Sequence, residues 1–366
     1  MLIQKIVIYK YSIAMHPFTI ATGTMDYAQN VAIKIYTDTN LIGYGECSAF
    51  PMIVGETQAT CYVMAQDFAK LWIGENALTI ETRMNQLHAF AANNNTIKSA
   101  FDMALYDIAA QYAKLPLYAY LGGTAIPMLT DITVGINTPN IMAAQALAFV
   151  QQGATILKVK LGKDVSTDVA RVAAIRNAVG TTIAIRIDAN QGWSVTDAAD
   201  ALQQLGPYNI QLCEQPMRTY NDKHLPQLLL TSPIKIMADE SVYNHHDAQR
   251  IIDANACDYI NIKFAKCGGI TEAKKIIDVC TQHNIPCMMG GMLESRLALT
   301  CFAHFASANP QIIFYDMDTC MLGHKTDPVI GGVTYNGYTV HLPTGIGIGA
   351  TIEEQYLLAS EHISIE

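Results

Sequence analysis

The sequence predicts an α/β chain, a (β/α)8 TIM-type barrel with an N-terminal α+β capping domain. Three observations predict it. Between about residue 130 and residue 320, eight short apolar, β-branched runs alternate with helical stretches, and their starts are mostly 23–28 residues apart. Eight strand–helix units at one period close more naturally into a barrel than into an open sheet. The runs are continuously apolar, as strands buried on both faces must be. The first third has a different texture, strands followed by helices.

The elements follow in order. Ile3–Tyr11, Ala32–Thr37 and Ile42–Cys47 are β-branched and alternate, with Thr39-Asn40 at a hairpin turn. In Thr96–Ala113 the apolar residues Ile97, Ala100, Phe101, Ala104, Leu105, Ile108 and Ala109 recur at three and four, the helical period, and Gly122-Gly123 stops that helical region. The eight barrel strands are Ile132–Ile136, Thr155–Val159, Ile183–Ile187, Ile210–Cys213, Ile234–Ala238, Tyr259–Ile262, Pro286–Met289 and Ile312–Tyr315. Between them lie helices such as Ser166–Val179, Val195–Leu205 and Gly269–His283. Expected boundaries are 1–125 for the cap and 126–324 for the barrel, with a tail of about 325–366 returning to the cap. Gly345, Gly347 and Gly349 in that tail superficially resemble a dinucleotide loop, but no βαβ unit surrounds them, so a return loop is expected.

Composition narrows the function. Of 366 residues, 51% are hydrophobic and 15% charged, which excludes a disordered chain or a coiled coil. A formal charge of −9 without basic runs argues against nucleic acid or an anionic membrane as partner. No apolar run is long enough to span a bilayer, and the N-terminus lacks the features of a signal peptide. Nine scattered cysteines without a C-x-x-C pair read as free thiols in a reducing cytoplasm.

Chemistry in such barrels sits at the C-terminal strand ends. There the sequence places Lys160, Asp188, Glu214, Asp239 and Lys263, in steps of 28, 26, 25 and 24 residues. An acid after a strand is often only a helix cap, and a lysine there a solvated rim charge. Five consecutive strand ends in the order Lys, Asp, Glu, Asp, Lys weaken that reading. Three converging carboxylates suit one hard divalent cation, Mg²⁺, with oxygen ligands. Lys160 and Lys263 fall on the second and sixth of eight strands, diametrically opposite. Two bases on opposite faces of one carbon are what inversion by proton removal and return requires. Lys158 has the same parity as Lys160, and two neighbouring ammonium groups are expected to lower the pKa of one of them.

These residues resemble the enolase superfamily, muconate-lactonizing-enzyme subgroup, over essentially the whole chain. The resemblance rests on the K-x-K of Lys158 and Lys160, the Asp188/Glu214/Asp239 set, and Lys263 before Lys266-Cys267-Gly268-Gly269. It implies that Lys160 and Lys263 are the acid/base pair, that the three acids bind Mg²⁺, and that an enediolate forms from a substrate carboxylate. Asp316-Met317-Asp318 on the eighth strand is similar to the D-x-D motif of dipeptide epimerases, whose two acids hold the substrate's α-ammonium.

The resemblance therefore implies an isomerase, a dipeptide epimerase that inverts the α-carbon of the C-terminal residue, with L-Ala-D/L-Glu from murein as first substrate. Thr22 and Met25 in the cap loop and Met292 after the seventh strand are the further expected substrate contacts. Epimerases of that specificity commonly carry an arginine in the cap loop; here neither Phe18–Tyr27 nor Ala49–Val54 contains one, so other or broader dipeptides are an open alternative. The rivals are a muconate cycloisomerase or o-succinylbenzoate synthase on the same scaffold, and a non-catalytic barrel binding a small anion. A cytoplasmic homo-oligomer acting on a small molecule completes the expectation.

Overall fold

The computed structural model describes residues 1–366. It opens with a long hairpin, β1 (Ile3–Ile20) and β2 (Gly23–Thr37), to which β3 (Ile42–Ser48) adds. Helices α1 (Gln58–Trp72), α2 (Ile80–Phe90) and α3 (Asn95–Tyr112) follow. Alternation along β1 sets which core each residue serves. Ile6 and Ile8 pack with Phe68, Trp72 and Phe101 of the helices, whereas Val7, Tyr9, Tyr11 and Ile13 join the core that runs into the barrel. The sheet is thus buried on both faces.

Helix α3 lies flush on β3, because Gly45 has no side chain there: a Cβ would stand 1.8 Å from the Ala100 carbonyl oxygen. The other side of α3 meets the barrel. Asn95 Nδ2 donates to the Lys266 carbonyl at 2.8 Å, and buried Asp102 accepts from Thr271 N and Oγ1 at 2.9 and 2.6 Å. A helix wedged between two units buries polar as well as apolar positions, which periodicity alone does not show.

The barrel strands are β4 (Ile132–Val134), β5 (Ile156–Lys160), β6 (Ala184–Asp188), β7 (Ile210–Glu214), β8 (Ile236–Ala238), β9 (Tyr259–Ile262), β10 (Cys287–Gly290) and β11 (Ile312–Asp316). They lie side by side in chain order, each parallel to the next. Seven helices alternate with them: α4 (Pro139–Gln151), α5 (Val165–Val179), α6 (Val195–Leu205), α7 (Leu225–Thr231), α8 (His245–Asp253), α9 (Ile270–Gln282) and α10 (Arg296–Ala308). After β11 comes only a four-residue turn of helix, Thr319–Leu322, before the tail leaves the barrel. The seam between β4 and β11 is closed by Asp131 N donating to the Tyr315 carbonyl at 3.2 Å and Thr133 N donating to Asp318 Oδ2 at 2.6 Å. Leu212, Met237, Met288 and Phe314 fill the barrel floor.

The tail returns to the cap. Ile348 N donates to Asp107 of α3 at 2.7 Å, and Gly347, at φ 68°, leaves no room for a Cβ, which would lie 2.2 Å from Asp107 Oδ1. The last strand, β12 (Glu361–Ile365), pairs antiparallel with β1. The glycine run is therefore a docking loop against α3.

The first hairpin runs farther than its sequence suggests. Pro17 and the register shift between Ala14 and Phe18 interrupt the alternation, yet pairing resumes at Phe18 with Met25. This extension carries the tip to the barrel mouth. Ile136 N donates to the Thr19 carbonyl at 2.9 Å, and Lys163 Nζ donates to the Ala21 carbonyl at 2.6 Å.

Candidate active site

Side chains on a strand point alternately in and out, so residues two apart share the barrel interior. Register places Lys160 beside Asp188 and Asp188 beside Glu214. Asp239 and Lys263 continue the ring at the ends of β8 and β9. Asp188, Glu214 and Asp239 are all fully buried. Lys160 Nζ is 2.5 Å from Asp188 Oδ2, and Lys263 Nζ is 2.7 Å from Asp239 Oδ2. The two lysines thus approach the carboxylates from β5 and from the end of β9, the second and sixth of the eight strands.

The three carboxylates fit a hard divalent cation. They supply oxygen donors from three adjacent strands, and two of their oxygens are poorly satisfied by the protein. Lys158 Nζ stands 2.8 Å from Glu214 Oε2 and Lys266 Nζ 2.7 Å from Asp239 Oδ1, but neither contact has hydrogen-bond geometry. Burial raises the Glu214 carboxyl, and Asp188 adds to the rise. Burial opposes charge on Asp239 too, but Lys263 and Lys266 overcome it and hold that carboxyl below its usual range. Their charge is therefore strongly engaged, as a metal set requires.

In the Lys158/Lys160 pair, where one of the two pKa values is expected to fall, Lys158 stands well above the usual lysine range. Burial works against the charge, but Asp316, Glu214, Asp188 and Asp131 outweigh it. The Nζ lies 2.6 Å from Asp316 Oδ2 and 3.6 Å from Asp188 Oδ2. Carboxylates outnumber ammonium groups around it, so attraction replaces the expected repulsion. Lys158 is a fixed cation between the metal-type acids and the end of β11.

That end carries Asp316 and Asp318. Asp316 takes Lys158. Asp318 accepts from Thr133, and its carboxyl is pushed up to about 7, first by burial and then by the charge of Asp316. Met292 adjoins this end, its carbonyl accepting from Thr319 Oγ1 at 3.2 Å. Thr22 sits at the hairpin tip with its hydroxyl buried and unpartnered, and Met25 is buried behind it. The hairpin tip and Met52 of the second cap loop meet at Gly23. The structure thus brings the two cap loops together over the ends of β4 and β5, and neither carries an arginine.

Several site residues escaped the sequence reading. Lys266, fully buried, donates to the Val242 and Asn261 carbonyls at 3.0 Å each and braces Asp239. Asn261 Nδ2 donates to Glu214 Oε1 at 2.8 Å. Gln215 Oε1 accepts from Asp239 N at 2.9 Å. Glu294, buried after β10, has its carboxyl pushed up to about 8 by burial and accepts from Met292 N at 2.6 Å. For Asn261 the signal was available, since it shares parity with Lys263.

Two family models cover the chain. The N-terminal domain of the mandelate racemase/muconate lactonizing enzyme family matches residues 3–122, and the enolase C-terminal domain-like family matches residues 141–356. The chain belongs to the enolase superfamily. It is 43% identical to the D-Ala-D/L-Ala epimerase of Cytophaga hutchinsonii, over the whole of both chains, and 36% identical to the L-Ala-D/L-Glu epimerase of Bacillus subtilis, over 91% of this chain and 92% of that one. A crystal structure of the dipeptide epimerase from Cytophaga hutchinsonii, complexed with Mg and the dipeptide D-Ala-L-Val, superposes with a TM-score of 0.98, at 43% identity and full coverage of both chains.

Proposed function

We propose that this chain is a Mg²⁺-dependent dipeptide epimerase that inverts the α-carbon of the C-terminal residue. One observation carries the reading: a three-carboxylate metal set is flanked by lysines from opposite strands, and a separate acid pair, Asp316 and Asp318, lies on β11. Asp188, Glu214 and Asp239 would hold the metal, which supplies positive charge to stabilise an enediolate developing from the substrate carboxylate.

The chain's own residues do the rest. One of Lys160 and Lys263 takes the α-proton on its Nζ, and the other, protonated, gives its proton to the opposite face of the same carbon. The reverse direction exchanges their roles, and solvent resets both protonation states. The ion pairs Lys160–Asp188 and Lys263–Asp239 use the carboxylates of the metal set, so metal binding and a free lysine base are linked. Lys158 stays charged and fixes Asp316. Asp316 and Asp318 bind the substrate ammonium and so choose which α-carbon meets the lysines. The hairpin tip with Thr22 and Met25, together with Met292, covers the substrate and excludes water.

The substrate class is free dipeptides. L-Ala-D/L-Glu is the first to assay, and uncharged second residues come next. The cap loops offer no arginine, and the dipeptide in the Cytophaga structure, D-Ala-L-Val, ends in an uncharged residue. The same reading keeps residues 1–125 with about 325–366 as cap and 126–324 as barrel, supported by the pairing of β12 with β1. It also makes the protein a cytoplasmic homo-oligomer without a nucleic-acid partner. Nine free cysteines support the reducing compartment and the acidic charge the lack of a nucleic-acid partner; no helix is long and apolar enough to cross a membrane.

Asp316 and Asp318 separate this reading from the cycloisomerase and synthase chemistries, whose substrates bring no ammonium. A charge-assisted hydrogen bond contributes on the order of 1.5–3 kcal/mol, so Asp316→Asn is expected to lower kcat/KM for a free dipeptide roughly 10–100-fold. N-acetylating the dipeptide removes the cation and should harm the wild type far more than Asp316→Asn or Asp318→Asn. Equal sensitivity of all three would make the aspartates seam residues only and remove the main support for a dipeptide.

A further inference from the structure

We propose that Asp131 is a third carboxylate of the ammonium pocket, so that the substrate's terminal –NH3⁺ meets three acids, one for each N–H. The inference rests on the dipeptide reading above. Asp131 lies outside the predicted strands and has no part in the proton transfers. It precedes β4 at the barrel seam, where its backbone bond to the Tyr315 carbonyl sets it beside the end of β11.

The geometry suits a primary ammonium. One carboxylate oxygen from each of Asp131, Asp316 and Asp318 lies within 4.8 Å of the other two. Three points no farther apart than 4.8 Å fit inside a circle of radius 4.8/√3, about 2.8 Å. The three oxygens are therefore spaced so that a nitrogen at their centre would lie at the ordinary length of a charged N–H···O bond from each, and a primary ammonium carries three such donors.

The charges suit it as well. Arg186 Nη1 pairs with Asp131 Oδ2 at 2.8 Å, and Lys158 pairs with Asp316 at 2.6 Å. Asp318 is paired with neutral Thr133 and with no protein cation. Lys158 is shared with Glu214 at 2.8 Å, so the three acids have less than one protein cation each, and a substrate ammonium supplies positive charge that the cluster lacks. Asp131 Oδ1 is fully buried and has no protein partner, an arrangement that costs stability until a donor arrives. Burial, followed by the charge of Asp316, raises the Asp131 carboxyl well above its usual range.

The consequence is a pocket selective for primary over secondary ammonium. A two-acid site tolerates one N-methyl group, since two N–H donors remain. A three-acid site loses a bond at the first methyl. The experiment measures kcat/KM for a dipeptide the wild type epimerises and for its N-methyl derivative, in wild type and in Asp131→Asn, with thermal unfolding as the check on folding. Asparagine keeps the shape, so any steric penalty of the methyl is common to both proteins. Wild type should prefer the free dipeptide roughly tenfold or more, and Asp131→Asn should lose that factor mainly on the free dipeptide, bringing the two substrates close together. The wild-type ratio stands by itself should the variant not fold: N-methyl and free dipeptides handled within about twofold by the wild type would overturn the proposal. An unchanged ratio in a folded Asp131→Asn would overturn it too, and leave Asp131 as a partner of Arg186 alone. In both cases dipeptide epimerisation itself persists; a wild type that epimerises no dipeptide overturns the functional reading and this inference together.

Discussion

Lys263→Ala is expected to lower epimerisation in both directions by roughly 10²–10⁴-fold, the range that a positioned general acid or base contributes. Each direction uses one lysine as base and the other as acid, so losing either blocks both. The fold should survive, because Asp239 keeps Lys266 at 2.7 Å and is not left as an unpaired buried charge. Proton exchange behaves differently. Lys160 can still remove the α-proton from its own face, so one epimer of the substrate should continue to exchange with solvent while the other does not. Measuring turnover and α-proton exchange from each epimer checks both parts. Wild-type epimerisation by Lys263→Ala would exclude the two-base scheme.

The second large effect concerns the metal. Exhaustive chelation should abolish turnover, and added Mg²⁺ should restore it. Asp239→Asn removes the charge of one oxygen donor. Its Mg²⁺ affinity should fall by more than the roughly 10–100-fold that loss of an outer partner costs. Lys266 retains its carbonyl acceptors at Val242 and Asn261, so the change should leave the barrel folded. Asp316→Asn is the control, since that residue contacts Lys158 and none of the three metal-type acids; its metal affinity should be nearly that of the wild type. Direct titration of Mg²⁺ binding, besides activity, reads these differences. Undiminished turnover without metal would contradict the assignment.

The ring of charged strand ends was legible because a barrel repeats. One strand–helix unit has a fixed length, and parity within each strand decides which residue faces inward, so Lys160, Asp188, Glu214, Asp239 and Lys263 could be found by counting. The alternation of the cap strands was legible for the same reason up to Tyr11. Past that point Pro17 and a bulge break the pattern, and the hairpin extension that brings Thr22 to the mouth has no local signal.

What depends on the stagger of strands was not legible either. Asp131 and Asp316 are 185 residues apart in sequence and adjacent only because the last strand closes against the first, with Asp131 N on the Tyr315 carbonyl. The charge state of Lys158 needs a count of every carboxylate around it, including Asp131 and Asp316, which spacing to Lys160 does not supply. Lys266 lies in a turn of helix beyond its strand, where a lysine in sequence looks like a solvated surface charge.

The most direct test of the central claim is the wild-type protein with Mg²⁺ and a free dipeptide in deuterium oxide, followed by mass spectrometry and proton NMR. The account predicts one deuterium at the α-carbon of the C-terminal residue, the same mixture of epimers approached from either side, and unchanged connectivity of every heavy atom. Ring closure or loss of water in place of epimerisation, or deuterium at the α-carbon of the first residue, would contradict it.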